Sequence, residues 1–410
     1  MMAAVGGDLA AMVIVLGAFG LAATVVAAIW WLPLAVAATA FNILNSQLRI
    51  DIGVETGYFR LAPLDMIGLI AFAASGLRLL SRGNTNGLQA LWLAVTAAFF
   101  ASFLYGAMRY GFATSGTFYR HFFYLSSGAL YAISFAWEPV DIDRFVRLWL
   151  TVAAMLAALC ISLWLVPGWL EVEPETHRAL AYVSRRVLPA SSALILSQAG
   201  LIGLAIWIRG RAQPATILLT VVFLLLTLLL FHRSVWIVTL AGIAVMMMAN
   251  ARNLFPIATA TLVVGIFAGI VTGIVGGFGE DLVSAPFASA FSEAVSSNSS
   301  LEWRIIGWEI LLQRTFAAGP LSIMFGDGFG VGYDRMIGWS QIGYSPHNVY
   351  LEIFINAGLV GLGLWLLFHV AVLKRLWTGD VSESALMDRG AAIALWTSLL
   401  VFGLPYSPPT

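Results

Sequence analysis

The side chains of this sequence that are best suited to chemistry lie where polar residues interrupt long apolar runs. One histidine, His347, stands between Pro346 and Asn348 just before such a run. An imidazole there can exchange protons at neutral pH, although it can equally be a structural hydrogen-bond donor. Ser345 is predicted to cap the helix that follows, with Pro346 in its first turn. Glu352, about one turn deeper, requires a partner inside a membrane and therefore indicates a polar pocket.

Two arginines occur in positions from which they could hold an anion. Arg233 lies between two apolar runs with almost no loop, and Arg304 lies in a segment whose aromatic residues, including Trp308, recur at helical spacing. This second segment, 301–314, is predicted to be an amphipathic helix on a membrane surface. Each arginine could extend to lipid head groups or could bind phosphate oxygens through its forked guanidinium. The residues alone leave both interpretations open.

A glycine-rich stretch, 325–333, lies between the segment with Arg304 and the segment with His347. Its glycines, among them Gly328 and Gly330, recur at alternate positions, which permits tight turns and a close approach of the backbone to a ligand. No strand precedes the stretch, and no Lys-Ser or Lys-Thr pair follows it. A nucleotide-binding loop is therefore excluded.

Chain length and composition place these residues in a membrane protein. Of 410 residues, 60% are apolar and 10% are charged, and the mean hydropathy is +0.90. Soluble proteins carry about 25% charged residues, so a soluble enzyme, a disordered chain, a disulfide-rich secreted domain and a nucleic-acid-binding protein are excluded. We expect an all-α polytopic membrane protein with about 11–12 transmembrane helices of about 20 residues each. The predicted spans are 9–45 (one bent helix or two), 62–80, 88–108, 118–136, 148–167, 190–208, 214–231, 234–250, 254–275, 347–373 and 390–405.

Basic residues in the loops indicate how the chain crosses the membrane. The loops on one side hold the basic residues that predict a cytoplasmic face, namely Arg78, Arg82, Arg209, Arg211, Arg252, Lys374 and Arg375. The other side carries these arginines: Arg49, Arg60, Arg109, Arg120, Arg178, Arg185, Arg186, Arg233, Arg304, Arg314 and Arg335. Translocated loops normally contain few arginines. The outer face is therefore expected to need cations, and a lipid-linked phosphate or diphosphate is the obvious ligand.

This topology divides the chain into three regions. They are an N-terminal transmembrane bundle (1–275), a long extracytoplasmic loop with short helices (276–346) and C-terminal transmembrane helices (347–410). It also assigns Asp141 and Asp143 to a short cytoplasmic loop. Although such an acidic pair could bind a metal, its place at the start of a span is better explained by helix capping and the helix dipole.

Taken in order, these motifs resemble the O-antigen ligase and polymerase superfamily, whose members are bacterial inner-membrane glycosyltransferases of the GT-C class. The resemblance covers the C-terminal 180 residues. It is carried by Arg233, the helix with Arg304 and Trp308, the turn from Gly326 to Gly330, and His347-Asn348 followed by Gly358 and Gly361.

The resemblance implies a GT-C-like fold and a glycan donor linked to undecaprenyl diphosphate. It implies that the donor diphosphate is bound by Arg233 and Arg304, that His347 assists attack by the acceptor, and that the reaction inverts the anomeric carbon and needs no metal or nucleotide cofactor. The expected substrate-binding residues are Arg186, Asn348, Gly328, Gly330 and Trp308. The active site is expected to face the periplasm, and the expected partners are lipid-linked glycan, acceptor and membrane lipids, with no nucleic acid.

Three alternatives remain open from the sequence. The acceptor could be a lipid A core, which defines a ligase, or a second lipid-linked glycan, which defines a polymerase. A transporter or flippase of lipid-linked glycan has a comparable number of spans, but it should show inverted repeats and charges at the membrane midplane. A purely structural membrane subunit leaves the outer arginines unexplained.

Overall fold

A computed structural model describes residues 54–55, 60–82, 85–165, 187–230, 232–249, 300–337, 340–378 and 386–406. Within these residues the secondary structure is almost entirely helical. The helices are α1 (Pro63–Arg82), α2 (Gly87–Tyr110), α3 (Phe112–Ile133), α4 (Pro139–Leu165), α5 (Ala190–Ile208), α6 (Pro214–Leu229), α7 (Arg233–Ala249), α8 (Ser300–Ala317), α9 (Pro320–Phe325), α10 (Val349–Thr378) and α11 (Arg389–Phe402). Four short strands form two antiparallel hairpins, β1 (Val54–Glu55) with β2 (Arg60–Leu61) and β3 (Arg335–Ile337) with β4 (Ser340–Ile342).

The helices confirm an all-α polytopic membrane protein. In the described part of the chain, five helices are long and apolar enough to cross a membrane: α1, α2, α4, α5 and α10. Helices α6, α7 and α11 are shorter and also apolar. Large apolar side chains such as Leu80, Met108 and Leu218 are exposed on these helices, as expected for surfaces that contact lipid. The predicted spans 9–45 and 254–275 lie outside the described residues.

Two apolar clusters hold the helices together. One joins α2, α3 and α10 around the buried rings of Trp92 and Phe99. The other joins α4, α5, α6 and α7 around Leu156 and Leu196. Lipid tails are as apolar as these side chains, so close van der Waals packing, rather than escape from water, favours the association of the helices.

Helix α11 connects the two clusters at one end of the protein. Phe402, its last residue, belongs to the cluster of α4 to α7. Just beyond it, the Gly403 carbonyl accepts a hydrogen bond of 2.9 Å from the Val349 N–H at the start of α10. The Tyr350 hydroxyl donates to the Leu400 carbonyl at 2.7 Å. The start of α10 is thereby fixed against the end of α11.

Two helices begin earlier than their hydropathy predicts. Helix α3 begins at Phe112 rather than at 118, and α4 begins at Pro139 rather than at 148. The missed residues of α3, 112–117, include Thr117, whose hydroxyl donates to the Ala113 carbonyl at 3.0 Å. Asp141 lies in the first turn of α4, where its charge favours the helix dipole. Hydropathy misses such turns because it measures suitability for lipid and ignores partners within the protein.

The region before α10 contains the predicted amphipathic helix, now observed as α8, and the hairpin of β3 and β4. Helix α8 packs against β3 and α10, and the hairpin pairs Arg335 with Ile342. The hairpin therefore leads the chain directly into the residues that precede α10. The division into regions 1–275, 276–346 and 347–410 remains a prediction, and its first boundary lies outside the described residues.

Candidate active site

The turn before α10 gives His347 an unusual backbone. Its φ angle is 53°, and among the described residues it is the one non-glycine residue with a positive φ. This region of backbone space costs a residue with a side chain about 1–2 kcal/mol, and such strain is concentrated at functional sites. The turn also corrects two predictions: Ser345 does not cap α10, and Pro346 does not lie in its first turn, because the helix begins at Val349. Instead the Asn348 side-chain oxygen accepts a hydrogen bond of 3.1 Å from the Leu351 N–H.

Helix α8 holds the turn from the other side. The Trp308 indole N–H donates a hydrogen bond of 2.8 Å to the Pro346 carbonyl, the residue before His347. Trp308 therefore supports the backbone of the turn, and Asn348 supports the first turn of α10. Contacts between these two side chains and a substrate remain predictions.

An aromatic side chain beyond the last helix joins Arg304 to His347. The Arg304 guanidinium donates to the Pro405 carbonyl at 3.1 Å, and its central carbon lies 5.7 Å from the centroid of the Tyr406 ring. The His347 and Tyr406 ring centroids are 6.4 Å apart. Tyr406 stacks on Phe402 at 4.8 Å. A cation and an imidazole are thus held beside one partly exposed aromatic ring.

Tyr406 belongs to this candidate site by position, and the sequence did not single it out. It follows the last apolar run, and the predicted spans end at 405. The available signal was an aromatic residue directly after a span that should end on the same face as His347. That signal becomes meaningful only when Arg304 and His347 are known to lie beside it.

Arg233 lies at the same end of the protein. It is the first residue of α7 and is partly buried. Two residues later, Val235 is fully buried in the apolar cluster against which Tyr406 packs. The preceding His232 forms a hydrogen bond of 2.8 Å with the Leu188 carbonyl through its ring Nε2. The start of α7 is therefore fixed in the apolar cluster against which the Tyr406 ring packs.

The glycine-rich turn lies inside the protein rather than at its surface. Gly328 is buried and Gly330 is half-buried, and the Phe329 ring between them is fully buried among α2, α3 and α10. A side chain at Gly330 would meet the Ser115 hydroxyl at 2.8 Å, and one at Gly106 of α2 would overlap the Phe329 carbonyl. In this structure the glycines permit close packing of backbones, and a contact with substrate remains a prediction.

The same turn supplies hydrogen bonds to α10 where that helix is interrupted. Gly358 has a φ of 64°, which breaks the helical path. The Asp327 N–H donates to the Ile355 carbonyl at 2.9 Å, and the Gly328 N–H donates to the Asn356 carbonyl at 3.1 Å. Carbonyls that the break deprives of helical partners are thereby satisfied. The N-terminal half of α10, which follows His347, is thus fixed as a separate segment.

We expect Gly106→Ala to destabilise the protein. The added methyl group would overlap the Phe329 carbonyl, a backbone atom that cannot rotate away, and overpacking of this kind costs about 1–3 kcal/mol. Thermal unfolding of the detergent-solubilised protein measures the effect as a lower Tm. Gly128→Ala is the matched control, because space is open around Gly128 on α3. Equal melting temperatures for the two variants would contradict this account of the turn.

Four other outer arginines bind groups of the protein itself. The pairs are Arg109 with the Asp327 carboxylate (3.9 Å), Arg120 with Asp65 (3.1 Å), Arg314 with the Gly332 carbonyl (2.8 Å), and Arg335 with the Tyr333 and Tyr344 carbonyls (2.9 and 3.0 Å). Burial lowers the pKa of the Arg335 guanidinium. The expectation that the outer arginines serve a lipid-linked phosphate is therefore too broad, since these four also stabilise the helix ends and the loop.

Four of the predicted outer arginines lie outside the described residues. They are Arg49, Arg178, Arg185 and Arg186. Asp143 accepts a hydrogen bond of 2.9 Å from the Leu386 N–H and so connects α4 to the start of the last helical segment. In the portion of the chain that the structure describes, no three His, Cys, Asp or Glu side chains are grouped as metal ligands.

Comparison with known proteins identifies one related family. Residues 215–366 match a protein-family model described as O-antigen ligase. The matched range includes Arg233, α8, the glycine-rich turn, His347 and Gly358. It confirms the resemblance to the O-antigen ligase and polymerase superfamily and, with the apolar helices, indicates a multi-pass membrane protein with a role in glycan transfer. No curated protein matches the chain significantly.

Proposed function

We propose that this chain, like the O-antigen ligase family that its residues 215–366 match, transfers a glycan from an undecaprenyl-diphosphate-linked donor to an acceptor hydroxyl. The reaction takes place at the periplasmic face of the bacterial inner membrane. The observation that carries the proposal is the position of Arg304 and His347 beside one ring, that of Tyr406. Glycan transfer needs a cation for the departing diphosphate and a proton acceptor for the attacking hydroxyl, and this arrangement provides both.

In the proposed reaction, the acceptor oxygen bonds to the anomeric carbon while the bond from that carbon to the diphosphate oxygen breaks. The electron pair of the broken bond leaves with undecaprenyl diphosphate, and Arg233 and Arg304 stabilise its negative charge. His347 accepts the proton of the attacking hydroxyl. A single displacement of this kind inverts the configuration of the anomeric carbon.

The charge on the leaving group can be stabilised by guanidinium groups alone. Arginine binds phosphate oxygens through two parallel N–H bonds, which neutralises charge and fixes orientation together. We therefore propose that transfer requires neither a metal nor a nucleotide. Full activity in the presence of a chelator is the expected result, and loss of transfer on adding the chelator would overturn this part of the proposal.

The test is transfer in vitro with the purified, detergent-solubilised protein and undecaprenyl-diphosphate-linked glycan. A lipid A core and a lipid-linked glycan are offered in separate reactions, and products are identified by mass spectrometry. Product on the lipid A core identifies a ligase, and a lengthened lipid-linked glycan identifies a polymerase. Absence of product with both acceptors, while an established ligase or polymerase is active in the same assay, would overturn the proposed function.

A further inference from the structure

A buried carboxylate lies directly beneath the turn that carries His347. Glu352 is in the first turns of α10, and its side chain is completely buried. The Ser345 hydroxyl donates a hydrogen bond to its Oε1 atom. The same hydroxyl accepts a hydrogen bond of 3.1 Å from the His347 backbone N–H. A continuous chain of hydrogen bonds therefore runs from the Glu352 carboxylate through Ser345 to the backbone of His347.

The carboxylate has a basic neighbour on a different helix. The other oxygen of Glu352, Oε2, lies 3.8 Å from the His121 Nε2 atom on α3. Both side chains are shielded from solvent, with 1% of Glu352 and 14% of His121 exposed. A carboxylate buried at this depth is retained at a cost unless an opposite charge and hydrogen bonds compensate it. The structure places the His121 ring beside this oxygen.

The turn of α10 that follows Glu352 is also held in place by hydrogen bonds. The Asn356 amide donates to the Glu352 backbone carbonyl at 2.7 Å and to the Tyr333 hydroxyl at 2.9 Å. The Ser102 hydroxyl of α2 donates to the Asn356 carbonyl at 2.6 Å. Glu352 is therefore attached to α2, α3 and the loop before β3, and it transmits that rigid position to Ser345.

We propose that Glu352 is a positioning residue for His347, acting through Ser345, with His121 of α3 beside its second oxygen. A positive φ is an unfavourable backbone state for histidine, so the turn needs an external restraint to keep the imidazole directed beside the Tyr406 ring. The Ser345 hydroxyl provides the restraint, and the buried carboxylate fixes the direction of that hydroxyl. The catalytic consequence rests on the proposed function.

The first test is kinetic and uses Ser345→Ala and Glu352→Ala in the full-length protein. Misplacement of a reacting group by about 1 Å costs about 10²-fold in rate, so we expect kcat to fall by up to about this factor. The KM for the lipid-linked donor should stay unchanged, since Arg233 and Arg304 are intact. Ser345→Thr, which keeps the hydroxyl, should restore kcat. Glu309→Gln is the matched control, because Glu309 is an exposed carboxylate on α8.

The second test separates positioning from a general effect on structure. In a His347→Asn background, Ser345→Ala and Glu352→Ala should cause no further loss, because the side chain that they position is absent. If each substitution lowered kcat in the His347→Asn background by the same factor as in the wild-type protein, the proposal would be overturned. So would wild-type kcat in both single variants.

A third measurement does not depend on activity. Diethyl pyrocarbonate modifies accessible imidazole rings, and mass spectrometry of the peptide containing His347 reports the rate of modification at that ring. We expect Ser345→Ala and Glu352→Ala to change this rate and Ser345→Thr to leave it near the wild-type value. Unchanged rates in both alanine variants would overturn the positioning role even if glycan transfer itself were never observed, which separates this failure from failure of the proposed function.

Discussion

Replacing His347 is expected to reduce glycan transfer by about 10²–10⁴-fold, the usual contribution of a positioned general base. Alanine removes the imidazole but is itself disfavoured at a φ of 53°. His347→Asn is the better variant, because asparagine adopts positive φ angles more readily than most residues. The loss should appear in kcat, with little change in the KM for the donor, since the arginines that bind the diphosphate are unchanged. Steady-state kinetics with a saturating acceptor measures both quantities.

Rescue with free imidazole provides the control for this prediction. If His347 accepts the proton of the attacking hydroxyl, added imidazole should restore part of the kcat of His347→Gly, in which a vacated space adjoins the site. The positive φ is fully tolerated by glycine, so the fold of this variant is expected to be intact. Asparagine and glycine variants that retain wild-type kcat would remove His347 from the mechanism.

Replacing Arg304 with alanine is expected to reduce kcat/KM by about 10²–10³-fold, as loss of one group that stabilises a developing negative charge does elsewhere. The guanidinium is held by the Pro405 carbonyl and by the face of the Tyr406 ring. Arg304→Lys keeps a positive charge but loses the planar fork and its stacking on the ring. We therefore expect an activity between those of alanine and the wild type, measured with the same lipid-linked donor.

Arg109→Ala is the matched control for the second prediction. Arg109 is also an outer arginine, with a half-exposed side chain whose charged partner is Asp327 at 3.9 Å. Its removal changes the net charge of the outer face by the same amount as removal of Arg304. A large loss in Arg304→Ala with wild-type activity in Arg109→Ala assigns the effect to position. Equal losses in both variants would show that only the overall charge of the face matters.

Much of the fold could be predicted from the sequence, because a transmembrane helix is a local property. Each predicted span in the described part of the chain corresponds to a helix, since about 20 consecutive apolar residues must satisfy their own backbone hydrogen bonds within lipid. The errors occur at the ends of helices. The missed first turns of α3 contain Thr117, whose hydroxyl donates to the Ala113 carbonyl at 3.0 Å, and hydropathy assigns no value to such a hydrogen bond.

The candidate site was predicted in part. His347, Arg233 and Arg304 were singled out because charged and titratable groups are scarce in an apolar chain, and the structure gathers them at one end of the bundle. Tyr406 and His121 were not singled out. An aromatic residue after a span and a histidine inside one are ordinary features until their neighbours are known, and those neighbours are contributed by other helices.

The sequence by itself determined the membrane class, the approximate position of the spans and the short set of residues from which a site could be built. Only the tertiary structure decided which of those residues lie together. Arg304 meets Pro405, which lies 101 positions further along the chain, and Glu352 of α10 meets His121 of α3. The tertiary structure also shows that the glycine-rich turn is packed against Gly106 of α2. The physical reason is that a long apolar run specifies which residues form a transmembrane helix, whereas the partner of each polar group is selected by the packing of helices distant in sequence.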